Sequence, residues 1–113
     1  MAFEAILNEL LQHSGAEAVV FLDSEGEAIF CFGNIHSDHL KAVGAYQGIV
    51  LSSAIRLDAG SSETVMTLCD SRSILTRKFK DGYFVCVILK ADANVGYANF
   101  AFQDYFHQLE MEL

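Results

Sequence analysis

The sequence contains no proline, no low-complexity tract and no internal repeat in its 113 residues. Linkers between domains are often rich in proline, glycine or polar residues, so their absence leaves no candidate boundary. A chain of this length has room for one hydrophobic core. We therefore expect a single domain over residues 1–113.

Positive charge is scarce, because seven Lys and Arg residues stand against fifteen Asp and Glu residues and give a net charge of −8. A nucleic-acid backbone would be repelled, so DNA and RNA are not expected partners. No apolar run reaches the roughly 20 residues that span a bilayer. The N-terminus lacks the basic start and cleavage site of a signal peptide. We expect a cytoplasmic protein that does not insert into membranes.

Signatures of catalysis are also missing. There is no P-loop, dinucleotide-binding fingerprint, nucleophile elbow, zincin helix or Cys-X-X-Cys motif. The three cysteines, Cys31, Cys69 and Cys86, are an odd number in strand-like apolar segments, which is typical of reduced, buried thiols. The sequence therefore predicts no catalytic residue, no cofactor and no enzyme.

A metal site could be assembled only near the middle of the chain. His36, Asp38 and His39 are suitable ligands in type and Cys31 is nearby, but no second pair of ligands follows at a familiar spacing. Polar residues of this kind at the start of a helix more often cap it or face solvent. We predict no metal.

Abundant apolar residues, 52% of the chain, fall into helical and strand periods. The order predicted is α-β-β-α-β-β-β-α, an α/β fold of the α+β sandwich type. The helices are expected at residues 2–13, at 37–57 and from Asn94 onward, and the strands at 17–23, 27–32, 63–69, 73–79 and 83–89.

Strand composition predicts the order of the sheet. The first strand and the fifth are apolar on both faces, so they belong at its centre. Short turns join the second strand to the first, and the third and fourth to the fifth. The sheet order is then 2-1-5-4-3. The third strand, at 63–69, becomes an edge with neither proline nor lysine to block pairing with another chain.

Two glycines in the predicted central helix invite an explanation, because each costs about 1 kcal/mol relative to alanine inside a helix. Gly44, Gly48, Leu51 and Ile55 share one stripe at 100° per residue. The stripe could approach the sheet or a partner helix. Gln47 lies within the apolar arc and favours a partner that can hydrogen-bond it.

Three stretches give the sequence a recognisable pattern: VVFLDSEGEAIF at 19–30, ILTRKFKDGYFVCVIL at 74–89 and NVGYA at 94–98. With the element order, they resemble the roadblock/dynein light-chain domain family, and most closely its bacterial gliding-motility GTPase regulators and lysosomal scaffold subunits. The resemblance implies a five-stranded antiparallel sheet with one helix on one face and two on the other. It also implies dimerisation through the third strand and central helix, and binding or regulation of small Ras-like GTPases.

Four of the seven positive charges are close together in the sequence. Arg72, Arg77, Lys78 and Lys80 are either a solvated strand and its turns or a docking patch for an acidic partner. Nothing marks Arg72 or Arg77 as an arginine supplied to a GTPase active site.

We therefore predict a homodimeric protein-binding module that regulates or scaffolds a small Ras-like GTPase, possessing no catalytic residues of its own even if it activates hydrolysis. The alternative is a profilin-like sensor of small molecules. A sensor needs converging polar groups in a pocket, whereas Phe100, Phe102, Tyr105 and Phe106 crowd the last helix. The expected dimer interface consists of Gly44, Gln47, Gly48, Leu51, Ile55, Thr64, Met66 and Leu68.

Overall fold

A computed structural model describes residues 2–13, 16–34, 36, 43, 64–68, 72–90 and 95–113 of the chain. These residues form helices α1 and α2 and five strands, β1 to β5. Each strand begins and ends within one residue of its predicted bounds. The helices are α1 (Ala2–His13) and α2 (Val95–Glu112), and the strands are β1 (Ala16–Leu22), β2 (Ala28–Gly33), β3 (Thr64–Leu68), β4 (Arg72–Lys78) and β5 (Phe84–Lys90).

The strands form one antiparallel sheet in the order β2-β1-β5-β4-β3, which is the predicted order. The α/β class is confirmed. Strands β1 and β5 lie at the centre of the sheet because almost all their residues are apolar. All residues of the two strands are buried except the first two of β1 and the last of β5. The predicted central helix at 37–57 falls outside the described residues, apart from Val43.

The two described helices pack on the same face of the sheet. Ile6, Leu7 and Leu10 repeat at helical spacing along α1 and are buried against it. On α2 the corresponding buried side chains are Phe102, Phe106 and Leu109. Alternate residues of the central strands complete this core: Val19 and Phe21 from β1, and Val85, Val87 and Leu89 from β5.

The opposite face of the sheet is also buried. Val20 and Cys86 lie in one apolar cluster there, and Ala18 and Ile88 form a second. Val43, which has helical backbone geometry, packs against this second cluster. Within the described part of the chain, neither helix is long and apolar enough to cross a membrane.

Two turns meet at one end of the sheet. The carboxylate of Asp23 accepts hydrogen bonds from the backbone N–H groups of Glu25 and Glu27 and so closes the β1–β2 turn. Residues Lys80–Gly82 form a short 3-10 turn between β4 and β5. Gly82 has a φ of +80°, and a Cβ there would lie 2.6 Å from the Cβ of Ser24. Glycine therefore allows the two turns to pack together.

Candidate interaction surfaces

The two edges of the sheet differ in regularity. Edge strand β2 carries a bulge, because Phe21 pairs with Phe30 and Leu22 with Ala28, which leaves Ile29 without an opposite residue on β1. A bulge bends an edge and interrupts its pairing surface. Edge strand β3 pairs with β4 over five residues with no irregularity. Of the two, β3 is the better template for a strand from another chain.

The predicted dimer-interface residues fall into two groups. Thr64, Met66 and Leu68 lie on edge strand β3, where the backbone register pairs them with Arg77, Leu75 and Ser73 of β4. The residues predicted from the central helix lie outside the described residues; these are Gly44, Gln47, Gly48, Leu51 and Ile55.

Arg72 is the first residue of β4, one residue before the predicted start of that strand at 73. Its Nε donates to Glu17 Oε2 at 2.8 Å. Glu17 is the extra residue of a bulge between Ala16 and Ala18 in β1, and it reaches Arg72 across the intervening strand β5. The pair is partly exposed, and such pairs contribute about 0–1 kcal/mol. Arg72 is thus already matched with a carboxylate.

Arg77 points to the opposite side of β4 from Lys78 and is largely covered by the helical core. Its guanidinium carbon lies 5.6 Å from the ring centroid of Phe106 and 5.9 Å from that of Phe79. Its Nη2 is 3.8 Å from Glu110 Oε2 of α2. Stacking on aromatic rings and pairing with a carboxylate are typical of a structural arginine. Arg77 therefore stabilises the packing of α2 against β4.

Lys78 and Lys80 are exposed at the turn end of β4, and Arg72, which is also exposed, lies at the other end. Arg72 begins the same strand, and seven residues of strand extend for about 20 Å. The four residues predicted as one docking patch therefore occupy separate places. The two lysines are its exposed members at the turn end, whereas Arg72 is exposed but paired with Glu17.

The cysteines and histidines offer no grouping for chemistry in the described part of the chain, where no three His, Cys, Asp or Glu residues are arranged to hold a metal. Of the residues considered for a metal, Asp38 and His39 lie outside that part, as does Cys69. Burial raises the pKa of Cys86 to about 12, against a smaller opposing effect of its hydrogen-bond contact with Thr76. A thiol with this pKa is a poor nucleophile at neutral pH.

Sequence reasoning missed an exposed apolar surface on α2. Phe102 and Phe106 are buried, but Phe100 is 78% exposed, Met111 74% and Tyr97 64%. The helical period contains the signal, because Phe100 lies about 160° around the helix axis from Phe102 at 100° per residue. The aromatic residues of α2 therefore lie on two faces of the helix, with Phe102 and Phe106 on the buried face and Phe100 on the exposed one.

Comparison with known proteins identifies the fold. Myxococcus xanthus MglB superimposes with a TM-score of 0.84 at 12% identity, over 96% of this chain and 92% of that one. The gliding protein MglB of Thermus thermophilus gives 0.83 at 10% identity, over 97% and 87%. A roadblock/LC7 domain from Streptomyces avermitilis gives 0.80 at 17% identity, over 96% and 94%. The chain has the roadblock fold.

A profilin is a more distant structural neighbour. LokiProfilin1, from a complex with rabbit actin, has a TM-score of 0.62 at 13% identity, over 98% of this chain and 96% of that one. No protein-family model and no curated protein matches the sequence significantly. At these identities the likenesses establish the arrangement of helices and strands, and function has to be argued from the surfaces.

Proposed function

We propose that this chain is a homodimeric, non-enzymatic module that binds a small Ras-like GTPase and regulates or scaffolds it in the cytoplasm. The observation that carries the proposal is the roadblock fold, matched over 96% of the chain by MglB, together with the regular strand β3, which is an edge of the sheet among the described residues. Regulation of a GTPase is what the resemblance to the gliding-motility regulators implies.

The dimer is formed by β3 of one protomer lying beside β3 of its partner, with the central helices packed across the same two-fold axis. An isologous interface of this kind buries on the order of 1,500–2,000 Å². We place the predicted central helix on the sheet face opposite α1 and α2. The packing of Val43 against Ala18 and Ile88 on that face supports this arrangement.

Lys78 and Lys80 steer the GTPase toward the dimer, because they are exposed cations in a chain of net charge −8. Replacing both with glutamate should slow association about ten-fold at low salt and flatten its dependence on ionic strength. The measurement is the association rate with a candidate Ras-like GTPase, loaded with GDP or with a non-hydrolysable GTP analogue, at about 20 and 150 mM salt.

A matched control uses Arg72→Glu with Lys90→Glu, which changes the net charge by the same amount at the other end of the paired strands β4 and β5. This control should retain most of the wild-type rate. If both double variants associate as fast as the wild-type chain, the lysines act only on solubility and the GTPase docks elsewhere. If the wild-type chain binds no Ras-like GTPase in either nucleotide state, the GTPase part of the proposal is wrong.

The profilin-like alternative rests on the shared sheet and on the TM-score of 0.62. It predicts saturable binding of a small molecule by the isolated chain. The TM-score of this match is lower than the 0.84 of MglB at similar coverage. The alternative also leaves the regular edge of β3 without a role.

A further inference from the structure

The outward face of α2 carries an apolar stripe. Tyr97, Phe100 and Met111 are mostly exposed, and exposed Asp104 lies between them. At 100° per residue the four residues fall within about 60° of one another around the helix axis. From the first to the last they extend for about 21 Å along the helix. These four residues are called the α2 stripe below. Tyr97 and Phe100 are neighbours one helical turn apart, whereas Met111 is separated from Phe100 by Asp104 and by exposed His107 and Gln108. An exposed pair of large apolar side chains often marks a binding surface.

Helix α2, which carries this surface, and its neighbour α1 contain acidic residues but no lysine or arginine. Five carboxylates lie on α1 and α2, whereas all seven lysines and arginines fall between residues 41 and 90. Glu110 pairs with Arg77 of β4. Asp104 and Glu112 are exposed on α2 itself, and Glu4 and Glu9 lie on neighbouring α1. A molecule that covers the α2 stripe therefore meets a negative potential.

This charge discriminates between the possible occupants. Asp104 is the midpoint of the α2 stripe, so a symmetric antiparallel pairing of α2 with α2 from a second copy would bring the two Asp104 carboxylates together. Like charges placed opposite one another are destabilising. An anionic lipid surface is repelled for the same reason. The stripe requires a ligand that is apolar on one side and positively charged at its margins.

We propose that the α2 stripe binds a cationic amphipathic helix of another protein. Apolar residues of that helix, spaced by three and four, would cover Phe100 and Met111, and methionine adapts readily to different apolar partners. Its Lys or Arg residues would pair with Asp104 and Glu112 and lie over the ring of Tyr97 or Phe100. This surface is separate from the β3 edge and from the two lysines of the β4–β5 turn, so it provides a second docking site.

The test uses a synthetic 18-residue helical peptide with a leucine stripe flanked by lysines, titrated by fluorescence anisotropy into the full chain. A peptide with glutamate in place of lysine and a scrambled peptide of the same composition are the ligand controls. The lysine peptide should bind saturably, and the glutamate and scrambled peptides should bind at least about ten-fold more weakly.

Two pairs of variants locate the site on the protein. Phe100→Ser should weaken binding about ten-fold, whereas Ile29→Ser, at an apolar residue 46% exposed on β2, should change it less than about two-fold. Asp104→Lys should weaken binding and reduce its salt dependence. Glu25→Lys makes the same charge change in the β1–β2 turn and should do neither.

Several outcomes would overturn the proposal. Equal losses in the Ile29 and Phe100 variants would show that the peptide has no preferred apolar site on the chain. Equally tight binding of the scrambled peptide would reduce the effect to general attraction of cations by an acidic chain. Absence of saturable binding by the lysine peptide would remove the site. If Phe100→Ser instead halves the mass of the wild-type assembly, the α2 stripe is covered by a second copy.

Discussion

Phe106→Ala should lower the free energy of unfolding by about 3–5 kcal/mol, the cost of leaving a phenylalanine-sized cavity in a core. The Phe106 ring is 1% exposed. It lies 6.0 Å from the ring of Phe79 and 5.8 Å from that of Phe102. The substitution also removes the ring beneath the Arg77 guanidinium. This loss is a large fraction of the 5–15 kcal/mol typical of a small domain. Urea denaturation at one fixed protein concentration measures it.

Phe100→Ala is the matched control, since it makes the same substitution on the same helix at a ring that is 78% exposed. It should change stability by no more than about 0.5 kcal/mol. Both variants have to be compared at one concentration because dimerisation adds to apparent stability. Similar losses for the two variants would contradict the assignment of the inner and outer faces of α2.

Gly48→Arg should convert the dimer into a folded monomer, weakening association about a hundred-fold or more. The reason is steric and electrostatic, because a long charged side chain would stand where two central helices approach. Gly48 lies outside the described residues, so this prediction depends on the glycine stripe in the sequence. Light scattering together with circular dichroism measures the mass and the fold of the variant.

Gly96→Arg tests the same change at an exposed glycine on α2 and should leave the dimer intact. If Gly48 instead approaches only its own sheet, arginine would overpack the core and unfold the chain. A folded dimer of Gly48→Arg would contradict both explanations of the glycine.

The order of the sheet could be predicted because composition decided it. Both β1 and β5 are apolar on both faces, which is the pattern of a strand covered on both sides. The turn Asp23–Gly26 and the turn Lys80–Gly82 carry residues that permit tight reversals, with Gly26 at a φ of +84° and Gly82 at +80°. Turn signals of this kind depend on the local sequence alone, so the predicted strand bounds differ from the observed ones by only one residue.

The separation of the four residues of the candidate docking patch could not be predicted in the same way, because it depends on contacts between distant parts of the chain. Arg72 is bound by Glu17, 55 residues away, through a bulge that the sequence does not reveal. Arg77 lies over Phe106 of α2. Adjacent positions on a strand point to opposite faces, which separates Arg77 from Lys78. That alternation could have been anticipated, but the partners of the two arginines could not.

Static light scattering of the wild-type chain at micromolar concentration measures whether the chain is a dimer, as the β3 edge predicts. We expect a single species of twice the 12.4 kDa chain mass, with the dimer maintained on dilution through the low micromolar range expected for an interface of standard size. A stable species of 12.4 kDa at high protein concentration would contradict it. The regular edge of β3 and the glycines of the central helix would then have to be explained within one chain.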